Sequence, residues 1–179
     1  MKYIKLFENF EDYDPYELMI TPPNKKSKML IDEIQKEDKA NLNLVRDLIS
    51  LGVNLDWQDE EEWTMLLYCV RSNQPEIARM LIDAGADLNI QNEFGSTALQ
   101  LCVLDIRPEI AKMLIDAGAD LNIQNTYGRT ALHLCAIYNH PGIVRMLIDA
   151  GADKTIPNNN GTLPYKLART PELKELLKP

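Results

Sequence analysis

Met80-Leu81-Ile82-Asp83-Ala84-Gly85-Ala86-Asp87 returns unchanged as residues 113–120 and again as residues 146–153. An octapeptide repeated twice at a constant interval of 33 residues marks a tandem array. Working outward, Gly52 extends the ladder Gly85, Gly118, Gly151 by one step, and Gly95, Gly128 and Gly161 form a second ladder of the same period. Thr64, Thr97 and Thr130 stand just before apolar runs, where a hydroxyl can cap the free N–H groups of a first helical turn. Pro75, Pro108 and Pro141 suit the opening position of a second helix, with Glu76 and Glu109 adding the acid that a helix dipole favours. Gly85, Gly118 and Gly151 follow Ile-Asp-Ala where a left-handed residue closes that helix. Each unit therefore reads as helix, turn, helix, reversing loop.

These units resemble ankyrin repeats. Gly128-Arg129-Thr130-Ala131-Leu132-His133 and Leu147-Ile148-Asp149-Ala150-Gly151-Ala152-Asp153 carry the likeness best, and it extends over nearly everything past residue 26. The resemblance implies an all-α solenoid of stacked helical hairpins with full repeats at 59–91, 92–124 and 125–157. A degenerate capping repeat at 27–58 precedes them, keeping the pattern only over Leu44–Gly52, and a truncated one at 158–179 follows. In that last unit a first helix is expected over Lys166–Arg169 and a second over Pro171–Leu177. Met65, Ala98 and Ala131 replace the family's turn proline, and Glu62 replaces its turn glycine, so the first full tip is either strained or remodelled.

The whole chain has 179 residues, 45% hydrophobic and 26% charged, which is the composition of a globular protein. It contains no apolar run long enough to span a membrane. A net charge of −8 repels phosphate backbones, so nucleic acid is an unfavoured partner. Lys2 and Lys5 resemble the start of a signal peptide, but Glu8, Glu11 and Asp12 arrive before any apolar stretch, and a cytoplasmic location is expected.

Side chains that look chemical have structural explanations. Cys69, Cys102 and Cys135 are 33 apart, which puts equivalent positions of stacked repeats about 10 Å apart, too far for a disulfide. They read as buried packing residues of a reducing compartment. His133 and His140 are the only histidines; by resemblance His133 braces a loop through backbone hydrogen bonds. The ladders Asp83, Asp116, Asp149 and Asp87, Asp120, Asp153 read as solvated or loop-capping groups, and Asn89 and Asn122 as side chains bonding their own loops. No nucleotide-binding or nucleophile motif is present. The chain is expected to be no enzyme, to need no metal or cofactor, and to act as a monomer.

By resemblance, partner contacts fall near each turn tip and at the end of each first helix, on a concave side. Here those positions are Glu60, Glu61, Trp63, Arg71 and Ser72, then Glu93, Phe94, Ser96, Leu104 and Asp105, then Thr126, Tyr127, Arg129, Ile137 and Tyr138. Trp63, Arg71, Phe94, Leu104, Tyr127, Arg129, Ile137 and Tyr138 are the favoured contacts, because large aromatic, aliphatic and arginine side chains anchor protein interfaces. Beside them the acidic run Asp59-Glu60-Glu61-Glu62 implies a protein partner with an apolar anchor and basic flanks. Two other readings stay open: an inhibitor or counter-defence factor, viral or symbiont, that occludes a partner's active site, and a small-ligand binder. Residues 1–26 belong to no repeat. Tyr3, Ile4, Leu6, Phe7 and Phe10 recur at roughly helical spacing, and the segment is expected to dock on the cap, with a groove blocker and a docking peptide as the alternatives.

Overall fold

The computed structural model of the chain describes residues 22–36 and 40–179. Ten helices occupy the described residues, which contain no strand: α1 Pro23–Ile34, α2 Leu42–Ser50, α3 Met65–Arg71, α4 Pro75–Asp83, α5 Ala98–Leu104, α6 Pro108–Asp116, α7 Ala131–Tyr138, α8 Pro141–Asp149, α9 Pro164–Leu167 and α10 Pro171–Leu176. Consecutive helices pair as hairpins. The first helices α1, α3, α5, α7 and α9 pack in one row, and the second helices α2, α4, α6 and α8 in another. Each unit touches mainly its neighbours, which makes the array quasi-one-dimensional.

Local chemistry accounts for the boundaries. Thr64 Oγ1 accepts from Leu67 N–H, and Thr97 and Gln100 form a reciprocal capping box. Prolines open α4, α6 and α8. At the close of α4, Gly85 N–H donates to Ile82 O at 3.0 Å and Ala86 N–H to Leu81 O at 3.0 Å, a Schellman turn that requires the left-handed φ of 86° at Gly85. The core runs unbroken along the array, through Leu30, Ile34, Leu44 and Leu48, then Leu66, Leu67, Ile77 and Leu81, and on through equivalent positions to Leu173 and Leu177. Each fully buried aliphatic side chain of this kind contributes about 1.5–3 kcal/mol.

Both ends depart from the sequence reading. Residues 1–26 are expected to lie outside the repeats, yet Pro22 and Pro23 are the N-cap and first residue of α1, because proline's fixed φ suits a position whose N–H has no helical partner. The first helix of the last unit is Pro164–Leu167, not Lys166–Arg169; Ala168 is extended (φ −64°, ψ 131°) and stops it after one turn. Docking of the leader falls on residues 1–21, outside the described residues.

Three ladders of polar side chains tie the loops together, two of them across 31 to 33 residues and the third across 23 to 29. Gln58, Gln91 and Gln124 each donate from Nε2 to the next loop, reaching Gln91 O, Gln124 O and Pro157 O at 3.2, 3.0 and 2.9 Å. Asp56, Asn89 and Asn122 accept on Oδ1 from Asp87, Asp120 and Asp153 N–H at 2.8, 2.8 and 2.9 Å. Asn89 and Asn122 thus bond the next repeat's backbone, not their own; a single sequence conceals this because the partner is one period away. The third ladder is inner: Gln100 Oε1 accepts from Thr97 N–H (3.3 Å) while its Nε2 donates to Ile123 O (2.7 Å) and Arg129 O (3.0 Å). His133 does the same with Nδ1 accepting from Thr130 N–H (3.1 Å) and Nε2–H facing Thr162 O (3.0 Å), which fixes the neutral Nε2–H tautomer. Leu67, their equivalent in the first full repeat, has no such groups.

Candidate interaction surface

The turn tips begin with Asp59, Asn92, Asn125 and Asn158, whose Oδ1 atoms accept two backbone N–H groups each. Successive tips are joined by backbone bonds: Glu93 N–H to Glu61 O (3.5 Å), Thr126 N–H to Phe94 O (3.1 Å) and Asn159 N–H to Tyr127 O (3.3 Å). The fourth tip residue is left-handed in every case, at φ 61° for Glu62, 69° for Gly95, 70° for Gly128 and 69° for Gly161. Glu62 therefore keeps the turn and bears the strain. A Cβ at Gly95 would lie 2.8 Å from Thr126 N in the next tip. The real Cβ of Glu62 occupies the corresponding place, and the bond beside it is the longest of the three.

Five large apolar side chains stand exposed among the described residues: Phe94 (54%), Leu104 (36%), Ile106 (60%), Tyr127 (61%) and Tyr138 (48%). All lie at turn tips or where a first helix hands over to a second. The outward faces of α4, α6 and α8 carry instead Arg79 and Asp83, Lys112 and Asp116, Arg145 and Asp149. Phe94, Leu104, Tyr127 and Tyr138 are thus at the surface, as the sequence reading requires of contacts. Arg71 is exposed and lies over the ring of Trp63 at 5.2 Å; Trp63 itself is half-buried, 5.3 Å from the Tyr68 ring. Arg129 is half-buried over Tyr127 at 5.2 Å, and its Nε is buried without a partner. Ile137 is half-buried. Ser96, a candidate contact in the sequence, is buried, because its N–H and carbonyl close the turn with Asn92.

Ile106 escaped the sequence reading. It follows α5 at φ 56°, where the equivalent residues Asn73 and Asn139 adopt 51° and 61°. Asparagine tolerates this region, whereas a β-branched residue there is an outlier. The signal was a 33-residue column reading Asn, Ile, Asn.

At the first tip the surface deepens into a trough. One part, of about 550 Å³, lies between α1 and the tip, walled by Ile31, Trp57 and Tyr68. A second, of about 430 Å³, lies between Trp63, Tyr68 and Phe94, and the two share Gln35, Glu61 and Tyr68. Both volumes fall in the range of binding clefts. Asp32, Asp59, Glu60, Glu61 and Glu93 rim the trough against Lys28 and Arg71. Tyr68 donates to Asp59 Oδ2 at 2.5 Å, and burial, that bond and the carboxylates of Asp59 and Glu61 all push its phenol up, so it remains a protonated donor.

The sequence pattern described as ankyrin repeats (3 copies) matches residues 35–125 and, overlapping, 85–158, well over half of the chain. The chain belongs to the ankyrin repeat family. No curated protein matches it. Ankyrin repeats are generally protein–protein interaction modules and typically non-catalytic. Among the described residues of this ankyrin array, no three of His, Cys, Asp or Glu gather as a metal site requires, and no helix is long and apolar enough to cross a membrane. The three thiols are free and fully buried, and burial pushes each of them up, away from reactive thiolate.

Proposed function

We propose that this ankyrin array is a non-catalytic, monomeric, cytoplasmic binding module that grips a partner protein on the side formed by its turn tips and first helices. The observation that carries the reading is that the five large apolar side chains exposed among the described residues lie at turn tips and at or just past first-helix ends, while the second helices expose Arg79, Asp83, Lys112, Asp116, Arg145 and Asp149. Large apolar side chains clustered in water mark an interaction site. Ile106 adds a second support, since a strained, exposed isoleucine in place of asparagine is disfavoured by folding and has value only where something covers it.

Contacts are assigned to Trp63, Arg71, Phe94, Leu104, Ile106, Tyr127, Arg129, Ile137 and Tyr138. The acidic rim around Trp63 favours a partner segment with an apolar anchor flanked by Lys or Arg. The test begins with affinity capture from the native cell and identification by mass spectrometry. The captured partner's affinity is then measured for Leu104→Ala with Tyr138→Ala, and for Arg79→Ala on the second-helix side as control. A loss of about tenfold or more in the first variant and none in the second is expected. Equal affinities would refute the surface, and an assay of the partner's own activity separates a scaffold from an inhibitor.

A further inference from the structure

The trough at the first tip has a specific chemical demand. Its walls are aromatic and aliphatic, and among the described residues no lysine or arginine pairs with Asp32, Glu60, Glu61 or Glu93. Arg71 is already set over Trp63. What complements such a trough is a short segment with large apolar side chains, two or more cations and no acid.

The chain contains one. Lys2-Tyr3-Ile4-Lys5-Leu6-Phe7 carries two lysines, four large apolar residues and no carboxylate, whereas residues 8–21 carry five acids and no base. We propose that Lys2–Phe7 is the trough's own occupant, bound in cis, so that the array carries a competitor for its partner. The inference rests on the binding reading above and adds to it the chemistry and source of one ligand. Lys2 and Lys5 answer the carboxylates of Glu60 and Glu61, while Tyr3, Ile4, Leu6 and Phe7 offer side chains to the Trp57–Tyr68–Phe94 walls.

Geometry permits the contact. The fifteen residues from Phe7 to Pro22 reach up to about 50 Å when extended. Helix α1, which carries the trough residues Lys28, Ile31, Asp32 and Gln35, is only about 18 Å long. A ligand held on so short a tether is present at an effective concentration in the millimolar range, so even a weak contact fills the trough until a tighter partner displaces it.

Trp57 and Trp63 are the only tryptophans, and both line the trough, so all tryptophan emission reports on its occupancy. Acrylamide quenching of the full chain is compared with that of Lys2→Glu/Lys5→Glu, and with the same variant carrying Glu60→Lys/Glu61→Lys. The double lysine variant should be quenched more strongly, by about 1.5-fold or more, with the charge swap restoring the original value and high salt abolishing the difference. Equal quenching in the full chain and the lysine variant overturns the proposal, as does a failure of the swap to restore protection. Protection that grows with protein concentration also overturns it, since the occupant would then belong to a second copy. A fall in melting temperature with unchanged quenching overturns it in favour of docking elsewhere on the cap.

An unrelated peptide with lysines flanking an aromatic residue, titrated into the lysine variant, separates the two readings. If it shifts the tryptophan emission saturably while the lysine variant and full chain quench alike, the cis occupant is wrong and the binding surface stands. If the peptide is inert and Leu104→Ala/Tyr138→Ala leaves partner affinity unchanged, the surface itself is wrong.

Discussion

Replacing Glu62 by glycine should stabilise the protein, and the structure sets the size of the gain. Glu62 adopts φ 61°, matching 69–70° at its three glycine equivalents, so the turn is conserved and the residue is the misfit. A left-handed L-residue costs roughly 1–2 kcal/mol. Glycine returns about 0.4–1 kcal/mol of that through the greater freedom of its unfolded chain. The net gain is about 0.5–1 kcal/mol, before any tightening of the Glu93 N–H to Glu61 O bond from 3.5 Å toward the 3.1 Å seen one repeat later. For a chain of this length that is a rise in melting temperature of about 1–4 °C. Circular dichroism reads the helices, and tryptophan emission reads this end of the array through Trp57 and Trp63. The decisive control is Glu62→Ala, which removes the same charge from Asp59-Glu60-Glu61-Glu62 but keeps the Cβ. If alanine stabilises as much as glycine, the cause is charge repulsion and the backbone argument fails; if glycine melts no higher than the parent, the strain is absent.

Ile106→Asn should likewise raise the melting temperature, by about 2–4 °C, because asparagine holds the same φ at positions 73 and 139 and Ile106 is 60% exposed. The same variant should weaken a captured partner in a calorimetric titration, and a gain in stability with unchanged affinity would remove Ile106 from the surface. His133→Gln should be nearly neutral at pH 7, since Gln100 makes equivalent bonds, whereas His133→Ala leaves Thr130 N–H and Thr162 O without partners and should cost about 1–3 kcal/mol in denaturant melts. Burial pulls the His133 imidazole below its ordinary 6.5, against the bond to Thr162. The unfolded chain then takes up the proton first as pH falls. Stability from this site is complete above pH 6.5 and declines below it until the folded pKa is reached, and melts followed from about pH 8 to pH 5 should lose that slope in His133→Gln. The thiols of Cys69, Cys102 and Cys135 should resist a disulfide reagent in the native protein and all react on unfolding; rapid labelling without unfolding would contradict their burial.

The array itself was legible because it is written in local chemistry. Threonine caps, prolines opening α4, α6 and α8, and glycines closing them act within a turn or two and recur every 33 residues. The ends were less legible because a terminal unit packs on one side only and its pattern relaxes. The Pro22-Pro23 pair is an instance: it reads equally well as a stop and as a start. Among surface residues, Phe94, Leu104, Tyr127 and Tyr138 were recoverable from position and type. Trp63 shares its column with Ser96 and Arg129, but its half-burial against Tyr68 and beneath Arg71 depends on side chains from other columns. Ile106 was visible only to a reader asking which residue in its column does not suit a left-handed φ.

The two local misfits around the first tip have a common consequence. Between the second and third full repeats, Gln100 bridges to Ile123 O and Arg129 O, and the tips are joined at 3.1 Å. Between the first and second, Leu67 stands where the bridging amide or imidazole would be, and the tips beside Glu62 are joined at 3.5 Å. That junction keeps its Gln58 and Asp56 bonds on the loop side but lacks the inner one. Arg107 Nε adds one bond across it, to Val70 O at 3.3 Å; in a structure whose stability is a sum of units and nearest-neighbour interfaces, a junction without the inner bridge is held less tightly than the next one. It is also the interface across which Trp63 and Phe94 face one trough. An occupant that touches both repeats would supply part of the missing coupling, so binding there should stabilise the junction in proportion to occupancy. Strain and the missing inner bridge thus coincide with the trough, while the two following repeats, bridged by Gln100 and His133, hold the frame.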